Sequence, residues 1–188
     1  MSSTVRGVAA FLIAATMAAI AAGSWAWLNQ PLNLPDAPPR ISGFAYSGYQ
    51  RHQDPNGTSL PTASELMADL ALMARQSDRI RTYSSTDNAE VPRLAADQGL
   101  FVTAGAWLDR RLQHNENEIA ALIRAVRQNQ NIERVIVGNE SILRGDLTVP
   151  ELVKKIKLIK KKVAVPVSTA EPWHIWLRHP ELAKQVAF

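Results

Sequence analysis

The stretch Val135-Ile136-Val137-Gly138-Asn139-Glu140-Ser141, VIVGNES, decides how the rest of the chain is read. Three β-branched apolar residues in a row read as a buried strand, the kind found in parallel sheets. A single glycine then separates that strand from an amide beside a carboxylate. A strand driven through a core and ended on Asn139 and Glu140 is a rigid mount for two polar groups.

Outward from this stretch, strands and helices alternate. Residues 132–140 read as one strand. Residues 41–49 (ISGFAYSGY), 78–85 (DRIRTYSS), 100–108 (LFVTAGAWL) and 165–170 (VPVSTA) read as four more. Between them, Thr62 or Ser64 caps a helix with Leu66, Leu70 and Met73 at helical spacing. A short helix over residues 91–98 stops at Gly99, and residues 115–130 carry Ile119, Leu122, Ile123 and Val126 on one face. Thr148 and Glu151 form a capping-box pattern that opens a helix running to Val163, and residues 175–184 read as helical.

Repeated βα units require parallel strands with helical crossovers, in an open doubly wound sheet or a closed barrel. A doubly wound sheet announces itself by a glycine-rich phosphate turn, and the first strand here ends in YSGYQ, with no such motif. Polar and aromatic residues gather instead at the C-terminal end of every strand: Tyr46, Arg81 with Tyr83, Trp107, Asn139 with Glu140, Glu171 with Trp173. That distribution is the mark of a (β/α)8 TIM barrel, which is the fold expected. Eight units take roughly 250 residues. Residues 41–188 hold about five, and Val186-Ala187-Phe188 reads as the opening of a sixth strand. The sequence is therefore expected to be the front of a longer, truncated barrel.

Ahead of the barrel, residues 8–28 (VAAFLIAATMAAIAAGSWAWL) carry no charge over a length that crosses a bilayer core. Arg6 precedes the run, and Trp25 and Trp27 stand at its far end, where interfacial aromatics belong. The expectation is a transmembrane anchor, with residues 1–7 cytoplasmic and the barrel on the periplasmic side of the inner membrane. A cleaved signal peptide, cut near Ala21-Ala22-Gly23, is the competing reading. Residues 29–40, with four prolines in NQPLNLPDAPPR, read as an extended linker.

Composition narrows the chemistry. The chain has no cysteine, so disulfides, thiol nucleophiles and thiolate metal sites are excluded. Its four histidines lack metal-binding spacing, and no metal or other cofactor is expected; no G-x-S-x-G is present to support a serine hydrolase. The net charge is +4, much of it in KKIKLIKKK, residues 154–162. Leu152, Ile156, Ile159 and Val163 keep helical period through that run, which makes the lysines a solvated helix face rather than a nucleic-acid site.

Glu140 is the candidate catalytic residue. A partly desolvated carboxyl at a barrel mouth can protonate a leaving oxygen, and the adjacent Asn139 can hold a ring hydroxyl. At this point the residues carry a resemblance. VIVGNES is similar to the acid/base strand of family 17 glycoside hydrolases, the β-1,3-glucanase group. GFAYSGY, with Tyr46, resembles that family's first strand, DRIRTYSS its second with Arg81 and Tyr83, and VPVSTAEPW its fifth. More narrowly, the chain looks like the bacterial membrane-bound β-(1,3)/(1,6)-glucan synthase or glucanosyltransferase branch. The resemblance implies a retaining mechanism with Glu140 as acid/base and a second Glu on strand seven, which this sequence does not contain. Asn139, Tyr46, Arg81, Tyr83, Glu171 and Trp173 are the expected β-glucan contacts, with loop structure the other role open to Glu171. Trp107 and Trp176 are divided evenly between sugar stacking and packing, and Arg81 is also expected to meet a neighbouring carboxylate. A non-catalytic, membrane-tethered glucan-binding module is the alternative function.

Overall fold

A computed structural model describes residues 3–32, 36, 38–54, 57 and 59–188. Pro35, Pro55 and Asn56 of the expected linker and loop, and the first two residues of the expected cytoplasmic end, lie outside the described residues. The chain divides into two units, Met1–Ala37 and Pro38–Phe188. The first holds one helix, α1 (Ser3–Leu28). Its apolar span Thr4–Leu28 covers 25 residues, about 37 Å at 1.5 Å per residue, against a bilayer core of about 30 Å. Phe11, Leu12, Ile13, Met17 and Ile20 all stand exposed along it, an apolar surface of the length a bilayer core would cover.

The second unit is built on five parallel strands: β1 (Phe44–Ala45), β2 (Arg79–Arg81), β3 (Phe101–Ala106), β4 (Ile132–Asn139) and β5 (Val167–Ala170). They lie in the order β1-β2-β3-β4-β5, each beside its predecessor. A doubly wound sheet reverses its order at a switch point, whereas unbroken succession is what a barrel requires. Helices α2 (Ala63–Ala74), α3 (Val91–Asp97), α4 (Leu112–Gln128) and α5 (Val149–Lys160) link the strands, and α6 (Trp173–Arg178) and α7 (Pro180–Ala183) follow β5.

Strand alternation sorts the side chains. Phe44, Ile80 and Val102 are aligned across three strands, as are Ala104 with Val135 and Ala106 with Val137. This face packs against Leu66 and Leu70 of α2, Leu94 of α3, Leu122 of α4 and Leu152, Ile156 and Ile159 of α5, forming one core. On the opposite face, Arg81 aligns with Thr103 and Arg134, and Arg79 with Phe101. The core therefore fixes the sheet from one side while polar residues occupy the other.

Thr62 and Thr148 both make full capping boxes, with Glu65 and Glu151. The hydrogen bonds from these threonines hold both carboxyls below the ordinary glutamate range. Several expected elements differ, among them the second strand, which covers Arg79–Arg81 where residues 78–85 were expected. The first strand shrinks from nine residues to two, because residues 46–49 turn away after the Tyr46 amide donates to the Arg81 carbonyl at 2.8 Å. The helix expected over 175–184 breaks at His179, since Pro180 cannot donate to the preceding turn. Residues 186–188 form no strand, although the Ala187 amide donates to the Val167 carbonyl at 3.0 Å and so lies beside β5.

The tightest approach in the sheet is at Gly105. A Cβ there would meet the Thr82 carbonyl oxygen at 2.5 Å and the Tyr83 oxygen at 2.7 Å. Gly105→Ala should therefore destabilise the domain by about 3 kcal/mol, through overpacking against backbone that cannot swing aside. Urea unfolding followed by tryptophan fluorescence checks this.

Candidate functional site

Strand β4 ends in strained backbone. Gly138 has φ +79° and Glu140 φ +54°. Glycine enters this region freely, but a glutamate does so at a cost of about 1–3 kcal/mol unless its surroundings impose it. A Cβ on Gly138 would also come within 2.7 Å of the Ser141 hydroxyl oxygen. The position is closed to side chains on both counts.

Three elements impose the Glu140 conformation. The last carbonyl of β5, Ala170, accepts the Glu140 amide at 2.7 Å. The Arg144 amide returns to the Glu140 carbonyl at 2.9 Å, closing a turn. Just past β5, Glu171 accepts the Ile142 amide at 2.8 Å, the Leu143 amide at 3.2 Å and the Ser141 hydroxyl at 3.4 Å. Both Glu171 oxygens thus face the turn that follows Glu140. The Glu140 side chain itself is exposed, so the partial desolvation expected of it is not supplied by these five strands.

Arg144 was not singled out by the sequence. Its guanidinium donates to the Asn139 carbonyl and, at 2.9 Å, to the Leu108 carbonyl, while its Nε donates to Asp146 at 2.7 Å. It lies over the Trp107 ring at 4.4 Å, within cation–π range. One cation therefore joins the ends of β3 and β4 and seats an indole between them.

Of the expected site residues, the structure brings Arg81, Tyr83 and Asn139 together. Arg81 donates to the Asn139 side-chain oxygen at 2.6 Å and lies over the Tyr83 ring at 5.0 Å. The carboxylate partner expected for Arg81 is thus replaced by an amide. This bond also settles which end of the Asn139 amide points away, namely the NH2 donor. Tyr46 is not part of this group: its hydroxyl donates to Asp69 of α2 at 3.1 Å and its ring is in the core. Burial, with the Asp69 charge behind it, pushes that phenol well above the ordinary tyrosine range. Trp173 is exposed, edge-on to His174, and the Trp176 indole donates to the Glu171 carbonyl at 2.8 Å.

A cleft of about 710 Å³ is lined by Tyr83, Trp107 and Asn139 together with Tyr49, Asp87 and His114. Burial raises the Asp87 carboxyl and the Glu118 charge raises it further, with His114 opposing them. Among the described residues, no three His, Asp or Glu side chains converge as metal ligands. Aromatic faces beside hydrogen-bonding amide and carboxyl groups suit a sugar, whose rings offer apolar faces and a polar rim.

Comparison with known proteins agrees with this chemistry. Residues 43–188 match the BtgE/BtgC glycoside hydrolase domain. A glucan 1,3-beta-glucosidase of Arthroderma benhamiae is 33% identical over 100 residues, 50% of this chain and 32% of that protein. A glycoside hydrolase family 17 β-1,3-glucanosyltransferase of Rhizomucor miehei superposes with a TM-score of 0.65 at 26% identity, over 78% of this chain and 54% of that one. An active-site mutant of a Rhizomucor miehei β-1,3-glucanosyltransferase in complex with laminaritriose gives the same values. The five strands are thus part of a (β/α)8 barrel. The chain spans about half the length of these solved relatives and about a third of the curated one.

Arg144→Ala should cost about 2–3 kcal/mol of stability by leaving the Asn139 and Leu108 carbonyls unpaired. It should also alter the near-ultraviolet circular dichroism of Trp107. Denaturation and dichroism of the purified variant check both.

Proposed function

Because the chain belongs to the BtgE/BtgC glycoside hydrolase domain family, with 146 matched residues (43–188), we propose that it supplies the acid/base side of a retaining enzyme acting on β-1,3-linked glucans. The single observation that carries this reading is the Asn139-Glu140 pair at the C-terminal end of β4, held in strained backbone by β5 and by the turn behind it. Glu140 protonates the leaving oxygen and then, as a carboxylate, removes a proton from the incoming water or sugar hydroxyl. Asn139, its oxygen engaged by Arg81, presents its NH2 to a ring hydroxyl. Tyr83 and Trp107 offer faces for glucose rings, and Trp173 a further, exposed one.

A retaining mechanism places the nucleophilic carboxyl about 5–5.5 Å from the acid. Glu171 is not proposed for that part, since its oxygens already accept two backbone amides. It positions the Glu140 turn instead. The nucleophile is assigned to a later strand, so these 188 residues alone do not turn over. Residues 8–28, within the apolar helix Thr4–Leu28, are proposed as the anchor in the inner membrane, with Arg6 on the cytoplasmic side and the barrel outside it, a cleaved signal peptide being the alternative. The narrower assignment is to the membrane-bound β-(1,3)/(1,6)-glucan synthase or glucanosyltransferase branch. The exposure of Glu140 supports a second reading, a non-catalytic membrane-tethered β-glucan-binding module.

In the full-length protein, Glu140→Gln should lower turnover of polymeric β-1,3-glucan by about 10²–10⁴ while leaving glucan affinity in place. Reducing-end release and a pull-down on insoluble glucan measure the two. Turnover at the parent rate would remove Glu140 from the acid role.

A further inference from the structure

Glu118 lies on α4 with no exposed surface. One of its oxygens accepts the Ser84 hydroxyl at 2.6 Å, the Thr86 amide at 3.2 Å and the Thr86 hydroxyl. The other accepts the Ser85 amide at 2.9 Å and the Trp107 amide at 3.0 Å. These donors are all hydroxyls or backbone amides. Burying a carboxylate costs several kcal/mol before compensation, and an apolar side chain would fill the same space without that cost. What an apolar side chain cannot do is tie the turn after β2 to the residue after β3.

Those two segments form one wall of the cleft. Tyr83 and Ser84 stand on the first and Trp107 on the second, and all three line it. The same junction is tightened by the Ser85 hydroxyl on the Gly105 carbonyl at 2.6 Å and the Gly105 amide on the Thr82 hydroxyl at 3.2 Å. A sugar chain lying across both aromatic faces requires their spacing to be fixed before it arrives. We infer that Glu118 is a positioning residue for glucan binding, setting the distance between the Tyr83–Ser84 segment and Trp107 without touching the sugar. This inference rests on the glucan reading of the cleft.

The test uses the full-length protein and β-1,3-gluco-oligosaccharides of two lengths. Glu118→Gln keeps the size but sets an NH2 against backbone amides in either orientation, because both oxygens accept N–H groups. It should weaken binding of the longer oligosaccharide about tenfold, more than the shorter, with the smaller change in kcat. Thr86→Val, which removes one donor from an exposed position, keeps the test open if Glu118→Gln does not fold, and should weaken binding about threefold. A purely structural Glu118 would lower the melting temperature of the folded variant and leave both affinities at the parent value, which overturns the inference. If the parent itself binds neither oligosaccharide, the glucan reading fails and the inference falls with it.

Discussion

A glutamate held in the left-handed region relaxes out of it unless hydrogen bonds from several directions fix its peptide groups. At Glu140 the amide is caught by β5, the carbonyl by Arg144, and the turn beyond by the Glu171 carboxylate. The rest of the domain can be read as the apparatus that makes this possible. Parallel pairing of β4 with β5 brings the Ala170 carbonyl to the right height. The α5 capping box and the apolar stripe Leu152, Ile156 and Ile159 then lock the helix behind the turn onto the core. The backbone of Glu140 is thereby held at the strand end by hydrogen bonds on both its peptide groups, which is what the proton donor proposed here needs.

A second constraint, the close approach of β2 and β3 at Gly105, does for the aromatic wall what the strained turn does for Glu140. Glu118 and Arg144 both bind this wall. Glu118 holds the Trp107 amide, and Arg144 covers the Trp107 ring and reaches the Asn139 carbonyl. The end of β4 and the Trp107 ring thereby share one cation, Arg144. The catalysis proposed for Glu140 is sensitive to shifts far smaller than a side chain.

Much of the fold was legible because its signals are local. The β-branched run of β4, the apolar spacing of α4 and the threonine–glutamate boxes of α2 and α5 each dictate their own element. The extent of β1 was not legible. Its alternating pattern is equally satisfied by bent chain, and only pairing with Arg81 decides where the ladder stops. Pro180 carries the signal for the break between α6 and α7, since it cannot donate to the preceding turn. Within the site, Asn139, Glu140, Arg81 and Tyr83 stood at strand ends and could be read directly. Tyr46 shared that position yet faces the helix layer, because it has the parity of Phe44 and Ile80. Glu118 was missed because a glutamate on an amphipathic helix normally reads as solvated. The available signal was its phase: with Asn115 it falls on the stripe of Ile119 and Leu122, and both polar residues are buried.

The central claim is that Glu140 is the proton donor of a retaining glucan enzyme. Removing an acid/base carboxylate leaves room for a small anion, and a substrate with a good leaving group needs no protonation to form the glucosyl-enzyme. The decisive measurement is therefore azide rescue of Glu140→Ala in the full-length protein, with an activated aryl β-1,3-glucoside as substrate and the product's anomeric configuration read by NMR. The account predicts restored turnover with a β-glucosyl azide as product. An α-glucosyl azide would make Glu140 the nucleophile, and no rescue of an otherwise active parent would contradict the assignment.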